Sequence, residues 1–241
     1  MTDNLSAEKR FLDIEENLKE INYRIAEAAV KSGRRREEIR LMAVTKTVEP
    51  VYINHALRNG VNLIGENKVQ ELLSKLDFIS PADVEKHLIG HLQSNKVRKV
   101  MDAVQMIESV DSLTLAAEIS RQAVARGRDM DVLLEVNIGM EASKTGLRTD
   151  ALSETAAAIS SLPGIRIVGL MAVPPMTDDE KLQRRYFSEA RRLFEDLGML
   201  HSERVRPQIL SLGMSADYEA AILEGSNLVR IGSALFGERR Y

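Results

Sequence analysis

The 241-residue chain contains no cysteine. That absence excludes, at one stroke, a disulfide scaffold, thiolate zinc sites, cysteine-ligated iron–sulfur clusters and a cysteine nucleophile. No uninterrupted apolar run approaches the roughly 20 residues that a bilayer span requires. Residues Met1 to Arg10 also lack an apolar signal core. A soluble, cytoplasmic protein with no membrane partner is therefore expected. Excess charge of one sign is missing too: 33 Lys+Arg against 36 Asp+Glu leave a formal net charge of −3. A nucleic-acid partner is not expected, because displacing counterions from phosphates needs a large basic surplus. No Pro/Gly/Ser-rich linker or low-complexity tract divides the chain, so residues 1–241 read as one domain.

What is present is a strong alternation of patterns. Leu5, Phe11, Ile14, Leu18, Ile21, Ile25, Ala28 and Ala29 recur at helical spacing with charges between them, which predicts a long amphipathic helix ending near Gly33. This helix, within residues 1–33, is expected to pack on the remainder. Eight short apolar runs follow, at 41–45, 62–65, 87–90, 105–110, 131–137, 165–173, 209–212 and 228–231. Helix-like segments at 51–58, 69–78, 96–103, 112–126, 150–161, 181–197 and 216–223 separate them. Strand-then-helix repetition implies parallel strands, and eight such units in about 250 residues fit a single (β/α)8 TIM-type barrel of the α/β class. A doubly wound open sheet is the alternative, weakened by the lack of Gly-x-Gly-x-x-Gly after an early strand. Pro174-Pro175 and the small polar run 141–146 are expected as loops at one barrel face, the second of them mobile.

Functional side chains of such barrels gather at the C-terminal ends of the strands. The first strand ends in Ala43-Val44-Thr45-Lys46. A lysine directly after an apolar strand is partly desolvated, which favours the neutral amine needed for imine formation; equally, it can snorkel to water. The last strand carries Arg230 toward the mouth and closes in Ile231-Gly232-Ser233, whose backbone amides could hold a phosphate. Strand seven ends in Gly213-Met214-Ser215, where Ser215 is expected to cap the next helix and aim its amides at the same place. An ordinary N-cap at Ser215 and an ordinary tight turn at Gly232 are the plainer readings. An amine at strand one facing a phosphate cup at strands seven and eight suits a phosphorylated aldehyde, and pyridoxal 5′-phosphate fits best. Arg230 is the candidate partner of its pyridine nitrogen; contact with the phosphate is the other possibility. A guanidinium only donates, so at the ring nitrogen it would leave the ring a weak electron sink.

The runs Ala43-Val44-Thr45-Lys46-Thr47, Gly65-Glu66-Asn67-Lys68-Val69-Gln70-Glu71 and His87-Leu88-Ile89-Gly90-His91-Leu92-Gln93-Ser94-Asn95-Lys96 carry a further signal. So do Gly169-Leu170-Met171-Ala172-Val173-Pro174 and the closing stretch from Leu210 to Arg239. Over nearly its whole length the chain resembles the pyridoxal phosphate homeostasis protein family. It departs from the family's pattern at Lys86 and Leu88, where aromatics are usual, and at Lys68, where tyrosine is common. The resemblance implies a barrel similar to the N-terminal barrel of alanine racemase, with Lys46 as the imine (Schiff base) lysine. It also implies Asn67 near the cofactor, and Met214, Ser215, Gly232 and Ser233 around the phosphate. The implied role is holding and buffering the cofactor for amino-acid and keto-acid balance, with apo pyridoxal enzymes as recipients, the chain acting as a monomer.

One alternative is a barrel-type amino-acid racemase; another is a barrel lyase or aldolase using Lys46 on a different aldehyde. Racemisation needs proton donors on both faces of a carbanion. Tyr23, Tyr52, Tyr186 and Tyr218 fall in helical segments, Tyr241 is terminal, and no length remains for a second domain. A carrier without strong turnover is therefore expected. His87 and His91 invite a metal reading, but on a strand four residues separate side chains by about 13 Å, and no metal is expected. Arg34-Arg35-Arg36 is offset by Glu37-Glu38, and the basic residues at 96–99, 184–185 and 191–192 read as solvated helix faces.

Overall fold

The computed structural model describes residues 2–141 and 144–238, with side chains from Ala7 onward. Eight strands, β1 (Arg40–Val44), β2 (Leu63–Glu66), β3 (Glu85–Leu88), β4 (Met106–Val110), β5 (Met130–Val136), β6 (Ile165–Ala172), β7 (Val205–Met214) and β8 (Leu228–Ile231), close into a barrel in sequential order. Every neighbouring pair is parallel, and β8 returns to β1 with Ala43 opposite Ile231. The open-sheet alternative is thereby excluded. The helices are α1 (Thr2–Lys31), α2 (Pro50–Arg58), α3 (Val69–Lys75), α4 (Val97–Val100), α5 (Leu113–Val124), α6 (Leu152–Ser160), α7 (Glu180–Gly198), α8 (Tyr218–Leu223) and the short α9 (Ser233–Phe236). The fold is an α/β barrel of the TIM type with an additional N-terminal helix.

Two apolar layers form it. Outward-facing strand residues such as Ala43, Ile64, Val229 and Ile231 pack beneath the helices, where α1 buries Ile14, Leu18, Ile21 and Ile25. Each large aliphatic side chain so buried contributes about 1.5–3 kcal/mol before chain entropy is counted. Polar ties complete the seating of α1: Asn17 donates to the Leu235 carbonyl at 3.1 Å, and Arg34, just beyond the helix, donates to the Ser226 carbonyl at 2.8 Å. The first of these fixes α9, and with it the residues after β8.

Inside the barrel, Met42, Leu63 and Leu228 form one small apolar group, and Met106, Leu133 and Met171 another. One strand approach is close enough to demand glycine. Gly169 takes φ +153°, and a Cβ there would stand 1.8 Å from the Ile209 carbonyl oxygen of the neighbouring strand. Residues 173–177 form a loop at the C-terminal barrel face. The mobile-loop expectation for 141–146 falls partly on Ala142 and Ser143, outside the described residues. Around them, the Asn137 side chain donates to the Glu141 carbonyl at 2.8 Å, and Lys144 pairs with Glu141 at 2.5 Å.

Candidate functional site

Lys46 follows β1 in a four-residue turn closed by the Val48 N–H on the Thr45 carbonyl at 3.0 Å. It is half-buried. It lines a cleft of about 890 Å³ together with Thr47, with Gly232 and Ser233 from the end of β8, and with Lys9 and Arg10 from α1. The amine and the suspected phosphate turn therefore share one cavity. Tyr52 also borders it, its ring covered by the Arg10 guanidinium at 3.8 Å.

The turn after β8 differs in detail from the sequence expectation. Gly232 has φ −116° and ψ −80°, outside the left-handed region, and a Cβ there would meet only Val44 at an ordinary 3.5 Å. A tight turn does not require glycine at this position; the open space above the backbone is what an added side chain would fill. Ser215 does not cap α8. Asp217 stands at that N-cap position, its carboxylate accepting from the Met214 N–H at 2.6 Å, because α8 begins only at Tyr218. The Ser215 hydroxyl instead reaches across to accept from the N–H groups of Gly232 and Ala234, both at 3.2 Å. Two amides thus converge on one oxygen; Gly232 borders the Lys46 cleft, whereas Ser215 and Ala234 border a separate pocket of about 250 Å³.

Asn67 follows β2. The register pairs Val44 with Gly65, and the Thr45 N–H on the Gly65 carbonyl at 3.0 Å carries the pairing one residue past β1. The Asn67 Oδ1 is buried and has no hydrogen-bond donor among the described residues, a costly state for an amide oxygen unless a ligand supplies the donor. Met214 lies opposite Arg230 in the β7–β8 register.

Arg230 does not reach openly into the mouth. It is 4% exposed, inside the barrel, and donates through Nη1 to the Ser211 hydroxyl and carbonyl and through Nη2 to the Ala172 carbonyl at 2.8 Å. It caps a buried polar chain that sequence reading missed. The Ser211 hydroxyl donates to Glu108 at 2.7 Å, Glu108 accepts from His87 Nδ1 at 2.6 Å, and His87 Nε2 lies 2.8 Å from Glu85. Arg40 closes the chain on Glu85 at 2.6 Å. Both ring nitrogens of His87 face carboxylates, so both donate and the imidazole is held as a cation. Burial opposes that charge, but the two carboxylates outweigh it and raise the His87 pKa. Glu108 is wholly buried, which pushes its pKa up, yet His87 and Arg230 bring it below the usual carboxylate value. His87 and Arg40 hold Glu85 down at about 2. The one sequence signal was a lone charge within apolar strands, as in Met106-Ile107-Glu108-Ser109-Val110. A second feature is Glu135 on β5, where burial raises the pKa although the Thr145 hydroxyl donates to it at 2.8 Å. Among the described residues no helix is long and apolar enough to cross a membrane.

Residues 17–240 match the family model described as alanine racemase, N-terminal domain. A pyridoxal phosphate homeostasis protein of Aquifex aeolicus is 39% identical over 226 residues, covering 94% of this chain and 98% of that relative. The PipY protein of Synechococcus elongatus, solved with pyridoxal phosphate bound, superposes with a TM-score of 0.81 at 30% identity, covering 93% of this chain and all of that one. Alanine racemase of Corynebacterium glutamicum shares the barrel alone, with a TM-score of 0.72, 15% identity and coverage of 95% of this chain and 62% of the racemase. At this similarity over this length, the chain belongs to the pyridoxal phosphate homeostasis protein family.

Proposed function

We propose that this protein binds pyridoxal 5′-phosphate covalently at Lys46 and serves as a cytoplasmic, monomeric carrier rather than an enzyme of high turnover. It would buffer the cofactor, supply it to apo pyridoxal enzymes and so influence amino-acid and keto-acid balance, with residues 1–241 acting as one unit. One observation carries the reading: Lys46, Gly232 and Ser233 line a single cleft, and the Gly232 N–H is one of two that converge on the Ser215 hydroxyl. The residues fit the cofactor, since the donorless buried Oδ1 of Asn67 awaits a hydroxyl such as the pyridine ring carries. When bound, the cofactor supplies an aldehyde carbon that a primary amine attacks and a phosphate dianion that needs donors.

In this reading Lys46 provides the amine. The N–H groups of Gly232 and Ala234, with the Ser215 and Ser233 hydroxyls, hold the phosphate, while Met214 and Asn67 border the ring. Arg230, two residues before Gly232, would meet the ring nitrogen only with an N–H not already spent on Ser211 and Ala172. Because a guanidinium cannot deliver its proton, it leaves that nitrogen unprotonated. Among the described tyrosines only Tyr52 borders the cleft, and Arg10 covers its ring, so no described tyrosine stands free opposite Lys46 as the second acid–base group that a tyrosine-dependent racemisation demands.

Two assays on the purified protein test the reading. Loaded protein should reactivate an apo pyridoxal enzyme. With alanine in deuterium oxide it should show α-carbon exchange far below the about 1–10³ s⁻¹ of ordinary enzymes. Rapid exchange by the isolated chain would move it to the racemase class.

A further inference from the structure

Lys46 lies between two residues that are held from outside their own turn. Thr45, fully buried, continues the β1–β2 pairing through its N–H on the Gly65 carbonyl at 3.0 Å. Thr47, at the third position of the turn, takes φ +63°. Type II turns require that conformation at that position and normally place glycine there. A β-branched residue adopts it only where the surroundings impose it.

The surroundings here are three side chains from β2 and α3. Lys75, 7% exposed, spends its ammonium on three acceptors: the Thr45 carbonyl at 2.8 Å, Glu66 at 2.7 Å and Glu71 at 2.6 Å. Glu71 also accepts from the Thr47 N–H. Glu66 accepts from the Thr45 hydroxyl at 3.1 Å and, through its other oxygen, from the Asn67 N–H at 3.0 Å. Burial would raise the Glu71 pKa, but Lys75 and the Thr47 N–H bring it below the ordinary value; at Glu66 burial prevails over Lys75 and the Thr45 hydroxyl and raises the pKa. With three acceptors engaged, the Lys75 ammonium is unsuited to nucleophilic work.

We propose that Glu66, Lys75 and Glu71 form a positioning clamp that imposes the turn geometry at Thr45 and Thr47, and thereby the direction and reactivity of the Lys46 amine. The carbonyl before Lys46 and the N–H after it are fixed by the same ion cluster, which also fixes Asn67. The clamp rests on the reading of Lys46 as the cofactor lysine, and it makes a claim of its own: loosening it lowers covalent capture more than it lowers total binding. The phosphate donors at Ser215, Gly232 and Ser233 lie on other elements and remain.

The test uses the full chain with Glu71→Ala, Glu71→Gln and Lys75→Met. Each variant is equilibrated with pyridoxal 5′-phosphate and treated with borohydride, and the ratio of label fixed on Lys46 to total bound cofactor is measured. Trace acetylation of Lys46 across the neutral to alkaline range gives its reactivity with no cofactor present. Glu71→Ala and Lys75→Met should lower the ratio roughly three- to tenfold, as expected when a preorganising contact is lost, and should displace the acetylation profile. Glu71→Gln keeps an acceptor for the Thr47 N–H and should restore most of both. Glu71 is half-buried, so its alanine variant remains informative if Lys75→Met fails to fold. Wild-type ratios and profiles in Glu71→Ala would overturn the clamp, as would equal losses in Glu71→Ala and Glu71→Gln. An unlabelled Lys46 in the wild type would instead overturn the cofactor assignment, while the acetylation profiles would still decide the clamp.

Discussion

Replacing Glu108 by glutamine removes one charge and almost no volume from the middle of the barrel. The carboxylate is fully buried and serves two partners, His87 at 2.6 Å and Ser211 at 2.7 Å, with Arg230 beyond the serine. The variant leaves two cations facing a neutral amide. Breaking a buried ion pair by removing one partner costs about 3–5 kcal/mol. In a chain of this size each kcal/mol moves Tm by about 2–4 °C, so Glu108→Gln should melt roughly 6–20 °C below the wild type. The deficit should depend on pH in a defined direction. The His87 pKa is raised by Glu108 and Glu85 against burial, so its stabilisation is complete below the unfolded value of about 6.5 and fades as pH rises through the folded value. The gap between wild type and variant is therefore widest on the acid side of 6.5, above the carboxylate range, and narrows in alkali. His87→Gln combined with Glu108→Gln should cost less than the sum of the two singles. Calorimetric melts across pH check all three statements. A Glu108→Gln melt within 2 °C of the wild type at every pH would refute the charge network as a source of stability.

Other expectations follow from the same geometry. Ser215→Ala removes the oxygen on which the Gly232 and Ala234 amides converge, and titration should show weaker cofactor retention with Lys46 still reactive. Gly232→Ala meets only ordinary contacts in the fold, so it should melt near the wild type while weakening cofactor binding; equal affinity in both variants would remove the phosphate assignment. On acidification Glu85 and Glu108, whose values are depressed, should hold their stabilisation above the unfolded carboxylate value of about 4.5 and lose it as pH falls through the folded values. An acid titration of Tm with and without Glu108→Gln reads that loss.

The barrel was legible because buried parallel strands are short apolar runs and the crossover helices between them carry a helical period. The run 228–231 coincides with β8, and the core face of α1 was named residue by residue from Ile14 to Ala29. Strand ends were blurred where function or proline intrudes. β3 begins at Glu85 rather than His87 because Glu85 points a charge into the buried network, and β7 begins at Val205, through Pro207, where polar residues obscured the strand. Lys46 and the Gly232 turn were readable as strand-end residues. The Glu108 network was not, since its partners stand 21 and 103 residues away and meet only through barrel closure. Ser215 was misread for the same reason: local spacing offered the next helix as its partner, whereas the closed barrel presents the amides after β8.

The central claim is that Lys46 is the residue that captures the cofactor. Purified protein, loaded with pyridoxal 5′-phosphate, reduced with borohydride and digested, should yield a single pyridoxyl peptide, and mass spectrometry should place the adduct on Lys46. An adduct confined to another lysine, or bound cofactor that leaves every lysine unmodified, would contradict the account.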